Sequence, residues 1–301
     1  MRFLTISLLL VSAVSSGAQV GASHVYLFKM QRMNDSTFQF TQPKLLTDFN
    51  PKGYNNHPAF FSNYELYLSC QSPNDAQPEI YALDLERWVK TRVTKTRDGE
   101  YSPMRMPDFY NFSAVRMEFH EEDTIQRLWQ FPTDRLSDGK PIFKYIHNVG
   151  YYQWINSRQV ALFLVDQPNQ LVIAEVDYDR LTPVSSNPGR CFRLMADGRL
   201  AFVQKADFDI WKIMKVKPLD KESEPQEVIE TLPGVEDFAI LSDGTFIMGQ
   251  GSKIFKYKEG FDSDWVQIAD LRFYNIRNIS RIAIGPGSGS SFQVAVVGSA
   301  E

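Results

Sequence analysis

The chain has 301 residues, of which 43% are hydrophobic and 23% charged. That is ordinary for a globular protein and enough for a sizeable core. Its 32 Lys and Arg against 36 Asp and Glu leave a formal net charge of −4, with no basic block, which argues against nucleic-acid binding, since that needs clustered cations to displace counterions.

The first stretch, "MRFLTISLLLVSAVSSGAQ", has one positive charge at Arg2, an apolar run from Phe3 to Val14 and small residues from Ser15 to Ala18. This is the layout of a signal peptide over residues 1–18, cut after Ala18. The apolar run is shorter than the roughly 20 residues that span a bilayer. No cysteine lies near the cut to carry a lipid, and no later stretch reads as transmembrane. The reading places residues 19–301 in the periplasm or outside the cell, without a transmembrane anchor.

Strand candidates follow at "HVYLFKM" (24–30) and "PKLLTD" (43–48). A single phrase then recurs: a strand, a turn of small or polar residues, and a second strand. It is seen at 57–69, 102–115, 151–164, 190–203, 237–249 and 281–297. Turn centres at Asn63, Asp108, Ser157, Asp197, Asp243 and Gly287 are spaced by 45, 49, 40, 46 and 44 residues, close to the roughly 40–45 residues of a four-stranded propeller blade. Asp197-Gly198 and Asp243-Gly244 supply the positive φ that a tight hairpin requires. Gly285, Gly287 and Gly289 are assigned the same task in a longer loop. "GPGSG" is not read as a phosphate cradle, because no helix pattern and no Lys-Ser/Thr pair follows it.

A third strand follows five of the six phrases: "EIYALDL" (79–85), "QRLWQFP" (126–132), "QLVIAEV" (170–176), "DIWKIMKV" (209–216) and "KIFKYK" (253–258). Outer strands are predicted at "TRVT" (91–94) and "EVIE" (227–230). The sixth unit ends with the chain, and the N-terminal strands supply its missing half. That predicts an all-β, six-bladed β-propeller in which the N-terminal strands close the last blade and remove the open sheet edges. No helical pattern calls for a second domain.

The phrases "EYSPMRMPD" (100–108), "LSDGTF" (241–246), "EIYALDL" and "DIWKIMKV" resemble the repeats of TolB-like β-propellers. Blade three, with "INSRQ", and blade six, with "GPGSGS", depart from the turn phrase. The resemblance covers the mature chain but leaves no room for the further N-terminal domain of TolB, so that protein's envelope role is not implied. Propellers of this kind serve many tasks.

In this fold the first strand of each blade lines the central channel. His57, Ser102, Tyr152, Arg190, Asp237 and Arg281 are predicted to form a polar ring at its mouth, flanked by Glu100, Tyr101, Tyr151 and Glu236. A concave opening with converging polar groups is the default ligand site; the alternative is a wet channel whose charges only pair with one another. Of these residues, His57, Tyr101, Tyr152, Arg190, Asp237 and Arg281 are the candidate ligand-binding set. Asp237, on the blade between them, is expected to hold both Arg190 and Arg281. Lys256 and Lys258 are read as solvated charges away from the site.

Other motifs carry less. His24, His57, His120 and His147 have no zinc-ligand spacing, and no metal site or other cofactor is expected. "HEED" (120–123) reads as a solvated loop rather than a calcium site. Asn111 and Asn278 match the glycosylation acceptor by chance. Trp129, Trp211 and Trp265 are expected to pack between blades, and Trp154 beneath a channel strand. Cys70 and Cys191 read as buried free thiols, with a disulfide as the alternative.

Two functions compete, with a third held in reserve. The first is a monomeric, non-catalytic binding module or scaffold that engages an envelope protein, a peptide or a glycan at the channel mouth. The second is a lyase or hydrolase acting on a polysaccharide or lactone, with Glu100, Glu236, Asp237 and Arg190 as its acid, base and anion-stabilising groups. The third is a purely architectural spacer.

Overall fold

The computed structural model describes residues 21–120, 123–135, 137–206 and 210–300. The signal-peptide reading and Glu121-Glu122 of "HEED" lie outside the described residues. Within them are six antiparallel four-stranded sheets. From the channel outwards, blade one is built from Tyr54–Phe60, Glu65–Gln71, Glu79–Asp84 and Val89–Arg92. The inner strands of the next four blades are Gly99–Arg105, Val149–Asn156, Pro188–Leu194 and Phe238–Ile240. Blade six runs Ile276–Ser288, Ser291–Ala300, His24–Arg32, Phe38–Leu45.

The second strands explain why the blades stack. In "ELYLSCQ" and "QVALFL" every interior residue is buried, on both faces of the sheet. Apolar side chains pointing to opposite faces of one sheet fill the two adjoining inter-blade spaces. The core is accordingly divided into six clusters, one between each pair of neighbouring blades. The cluster between blades six and one joins Val25, Leu27, Ala295 and Val297 to Leu66 and Leu68.

Ring closure is continuous. His24–Gln31 pairs with Gly298–Ser291 without a register break. Arg32 then reaches the blade-five turn, its guanidinium 2.6 Å from Asp243. At the turns, Gly198 and Gly244 have φ of +82° and +85°, and Asp197 and Asp243 accept from the backbone N–H two residues on. Blade six differs from expectation. Of Gly285, Gly287 and Gly289, only Gly289 has positive φ, and the turn is Gly289-Ser290. Gly285 and Gly287 lie in the strand, where a side chain would meet the rings of Phe60 and Phe292. The outer strand of blade one sits two residues earlier than expected, at Val89–Arg92.

Cys70 and Cys191 are free and buried. Trp154 is buried between blades two and three, donating to the Ser113 hydroxyl at 2.9 Å. Trp211 and Trp265 pack against the cluster between blades four and five. No described helix is long and apolar enough to cross a membrane.

Candidate functional site

The inner strands of blades one and two carry the same device. His57-Pro58 and Ser102-Pro103 each interrupt the ladder: pairing passes from Asn56↔Ser69 to Ala59↔Tyr67, and from Tyr101↔Val115 to Met104↔Ser113. His57 and Ser102 both have φ of +54°. A bulge is where a strand tolerates proline, and it re-aims the side chain beside it. Asn56 Oδ1 and Ser69 Oγ accept the bulged N–H groups of His57 and Ser102, at 2.7 and 3.2 Å.

Four elements converge around His57. Its ring meets Tyr54, Tyr101 and Tyr151 edge-on, with centroids 6.2, 6.3 and 6.3 Å away. The guanidinium of Arg281 stands 5.4 Å from the centre of the Tyr151 ring. Burial, reinforced by Arg281 and Arg190, holds His57 well below its ordinary pKa, so it is a neutral imidazole. His57, Tyr151 and Arg281, together with Arg190 and Arg193, border a channel cavity of about 400 Å³.

The acidic residues are fastened to the wall. Glu236 accepts from the Arg190 backbone N–H at 2.7 Å and from Lys205 Nζ at 2.7 Å. Despite its burial, those contacts lower its pKa. Asp237 accepts from the Ile282 N–H at 2.8 Å and lies 3.5 Å from Arg281 and 3.8 Å from Arg193. The expected Asp237–Arg190 pairing is therefore replaced: Arg190 pairs with Glu236 at 3.3 Å, and Arg193 takes the second place at Asp237. Four cations, Arg190, Arg193, Arg281 and Lys205, face two carboxylates, so this end of the channel carries excess positive charge.

His57, Arg190 and Arg281 thus meet on one cavity, with Ser102 and Tyr151 on its wall and Tyr101 against His57. Tyr152 borders the same cavity, but its hydroxyl is engaged elsewhere. Its side chain is buried between blades two and three, where the hydroxyl contacts the carbonyls of Ser102 and Ser113 at 2.8 and 2.7 Å. Tyr151 lines the cavity beside it and meets the His57 ring. Arg193 was not among the candidates; its position three residues after Arg190 in an inner strand was the only signal.

Glu100 is sealed from the channel. It is fully buried, accepting from Thr96 at 2.7 Å and Arg116 at 2.8 Å. Across the gap between blades one and two, Glu79 accepts from Arg92. One oxygen of each carboxyl is left buried without a hydrogen-bond partner. Burial pushes Glu100 up to about 8, opposed by Thr96 and Arg116 and aided by Glu79. Among the described residues, no group of three or more His, Cys, Asp or Glu could hold a metal ion.

No protein-family profile matches the chain, and no curated protein matches it. Solved structures do match in fold. One assigned to TolB from Agrobacterium tumefaciens superposes with a TM-score of 0.63 at 11% identity, over 92% of this chain and 99% of that one. TolB from Acinetobacter baumannii gives 0.56 at 13%, over 78% of this chain; the match spans 60% of that protein's length. A gluconolactonase from Xanthomonas campestris gives 0.54 at 9%, over 81% and 86%. At these identities the likeness shows the six-bladed propeller and nothing finer. TolB and a gluconolactonase both share it, and one fold can serve unrelated tasks.

Proposed function

We propose that the protein is a non-catalytic binding propeller of the cell envelope, exported by residues 1–18, that engages an acidic group of a protein, peptide or glycan at the cationic end of its channel. The observation that carries this reading is the cluster of Arg190, Arg193 and Arg281 around one cavity, with Glu236 and Asp237 as the carboxylates paired to them and to Lys205 among the described residues. Guanidinium groups present planar forks of donors matched to carboxylates. In the free protein the wall acids hold these arginines in place, and an incoming carboxylate shares their remaining donors.

The catalytic reading has less support. A general acid or base works best with a pKa near the working pH and within reach of substrate. Glu236 is shifted the wrong way, and Glu100 is shut between blades. The test is capture of partners from a native envelope extract by wild-type protein, Arg190→Ala and Arg281→Ala. A partner retained by wild type and lost by both variants supports the reading. Equal retention by all three overturns it.

A further inference from the structure

The bulge of His57-Pro58 and Ser102-Pro103 recurs away from the channel, at Gln42-Pro43. Pairing there passes from Leu27↔Lys44 to Lys29↔Thr41, so Gln42 and Pro43 oppose Phe28 alone. Gln42 has φ of +54°, the value found at His57 and Ser102. A bulge re-aims the residue beside it, and here that residue borders a cavity of about 610 Å³ between blades six and one. Asn63 and Trp88, on two loops of blade one, border the same cavity. Asn63 lies just past the end of the inner strand Tyr54–Phe60, whereas Arg190 stands near the start of Pro188–Leu194. The cavity is therefore at the opposite end of the propeller from the cationic mouth.

Trp88 is a costly choice for its position. It leads into Val89–Arg92 with φ of +59°, where glycine is preferred and a bulky residue is a steric outlier. The side chain is 50% exposed, so burial does little to offset that strain. The Lys44 ammonium of blade six stands over its ring, a cation–π clasp across the two blades. Lys29 also borders the cavity, and no described Asp or Glu does. Gln42 and Asn63 are exposed, and each amide offers both donors and an acceptor.

From this juxtaposition we infer that the cleft between blades six and one is a binding site separate from the channel, and that it takes an acidic saccharide: the sugar ring on Trp88, its carboxylate on Lys44 and Lys29, its hydroxyls on Gln42 and Asn63. A pyranose has an apolar C–H face that packs on an aromatic ring and hydroxyls at its edge that suit amides. Such a ligand replaces both halves of the clasp at once. Its face takes the place of Lys44 on the indole, and its carboxylate pairs with the ammonium released. A neutral sugar would part Lys44 from Trp88 and give it no counter-charge. An acid without a sugar ring would leave the amides unmatched.

Calorimetric titration of the full protein with trigalacturonate and with a hyaluronan tetrasaccharide, each beside its methyl ester, tests this. At least one of the acids should bind, and its ester about tenfold more weakly, because the charge-assisted contact is lost. Trp88→Ala should weaken that acid by about tenfold, while Trp88→Phe, which keeps a ring, should stay within about threefold of wild type. Lys44→Met should erase the preference for acid over ester, and Arg281→Ala should bind as wild type does. No binding by either acid, an ester that binds as tightly as its acid, or benzoate that binds as tightly as the saccharide overturns the inference. Binding lost in Arg281→Ala and kept in Trp88→Ala puts the acid in the channel; the channel reading then stands and this one falls.

Discussion

Replacing Phe28 by alanine tests how the ring is closed. Phe28 sits in the N-terminal strand, opposite Val294 of the C-terminal strand, and is 1% exposed. Its ring meets Phe40 and Tyr274 edge-on at 6.1 and 5.3 Å, and it belongs to the cluster that joins blade six to Ile247 and Ile254 of blade five. Truncating a fully buried phenylalanine costs about 3–5 kcal/mol through lost transfer energy and the cavity left behind. That is a large part of the roughly 5–15 kcal/mol that holds a domain together. At about 2 °C per kcal/mol for a large domain, the melting temperature should fall by roughly 6–10 °C. The control is Phe273→Ala, whose ring is 91% exposed and whose loss should stay within ~0.5 kcal/mol. Urea denaturation and thermal melts of the two variants read the difference. Removal of residues 19–48 is the severe form: it strips Val25, Leu27, Phe28 and Met30 from two inter-blade clusters and bares the edge of Ser291–Ala300, so that chain should aggregate. Equal stability of Phe28→Ala and Phe273→Ala would refute the closure argument.

Other outcomes follow from single residues. Glu100 in the folded protein holds a proton up to about pH 8 that an ordinary glutamate, at 4.5, releases earlier; the folded state thus binds more protons, and stability should fall as pH rises through this window by up to ~1.4 kcal/mol per unit. Glu100→Gln keeps the neutral form, so urea midpoints at pH 5, 7 and 8.5 should lose most of that slope. Burial raises both thiols, Cys191 to about 12, so neither should react with a thiol reagent until the protein is unfolded; rapid labelling of the native chain would contradict the burial. N-terminal sequencing of the protein from an envelope fraction should begin at Gln19, and a sequence starting at Met1 would remove the signal-peptide reading.

The propeller was legible because its signals are local. Alternating strands, Asp-Gly turns and a repeat of about 45 residues are written into each segment, and the missing half-blade could be inferred from where the last phrase stops. The site was legible only in part, because charge pairing depends on which residues face one another across the channel. His57, Arg190 and Arg281 could be placed on inner strands from the repeat. That Arg190 turns to Glu236 while Arg193 and Arg281 share Asp237 is set by blade geometry. Tyr151 and Tyr152 both border the cavity, and only the fold reveals that the Tyr152 hydroxyl is engaged by the carbonyls of Ser102 and Ser113. Lys256 was read as a solvated charge, yet it is 2% exposed and bound to Asp262 at 2.6 Å; Lys258 reaches Asp243 at 3.0 Å. Lys256 alternates along Lys253–Tyr257 in the way a surface residue does and Lys258 follows that strand, so the pairing with turn acids is set by how the turns fold back.

Arginine-directed footprinting with phenylglyoxal, read by peptide mass mapping with and without a captured envelope partner, tests the central claim most directly. The account predicts that the partner protects Arg190 and Arg281, which border the channel cavity, and leaves the exposed Arg87 of blade one as reactive as before. Unchanged labelling of Arg190 and Arg281, with protection appearing instead on outer-strand or opposite-face arginines, would contradict it.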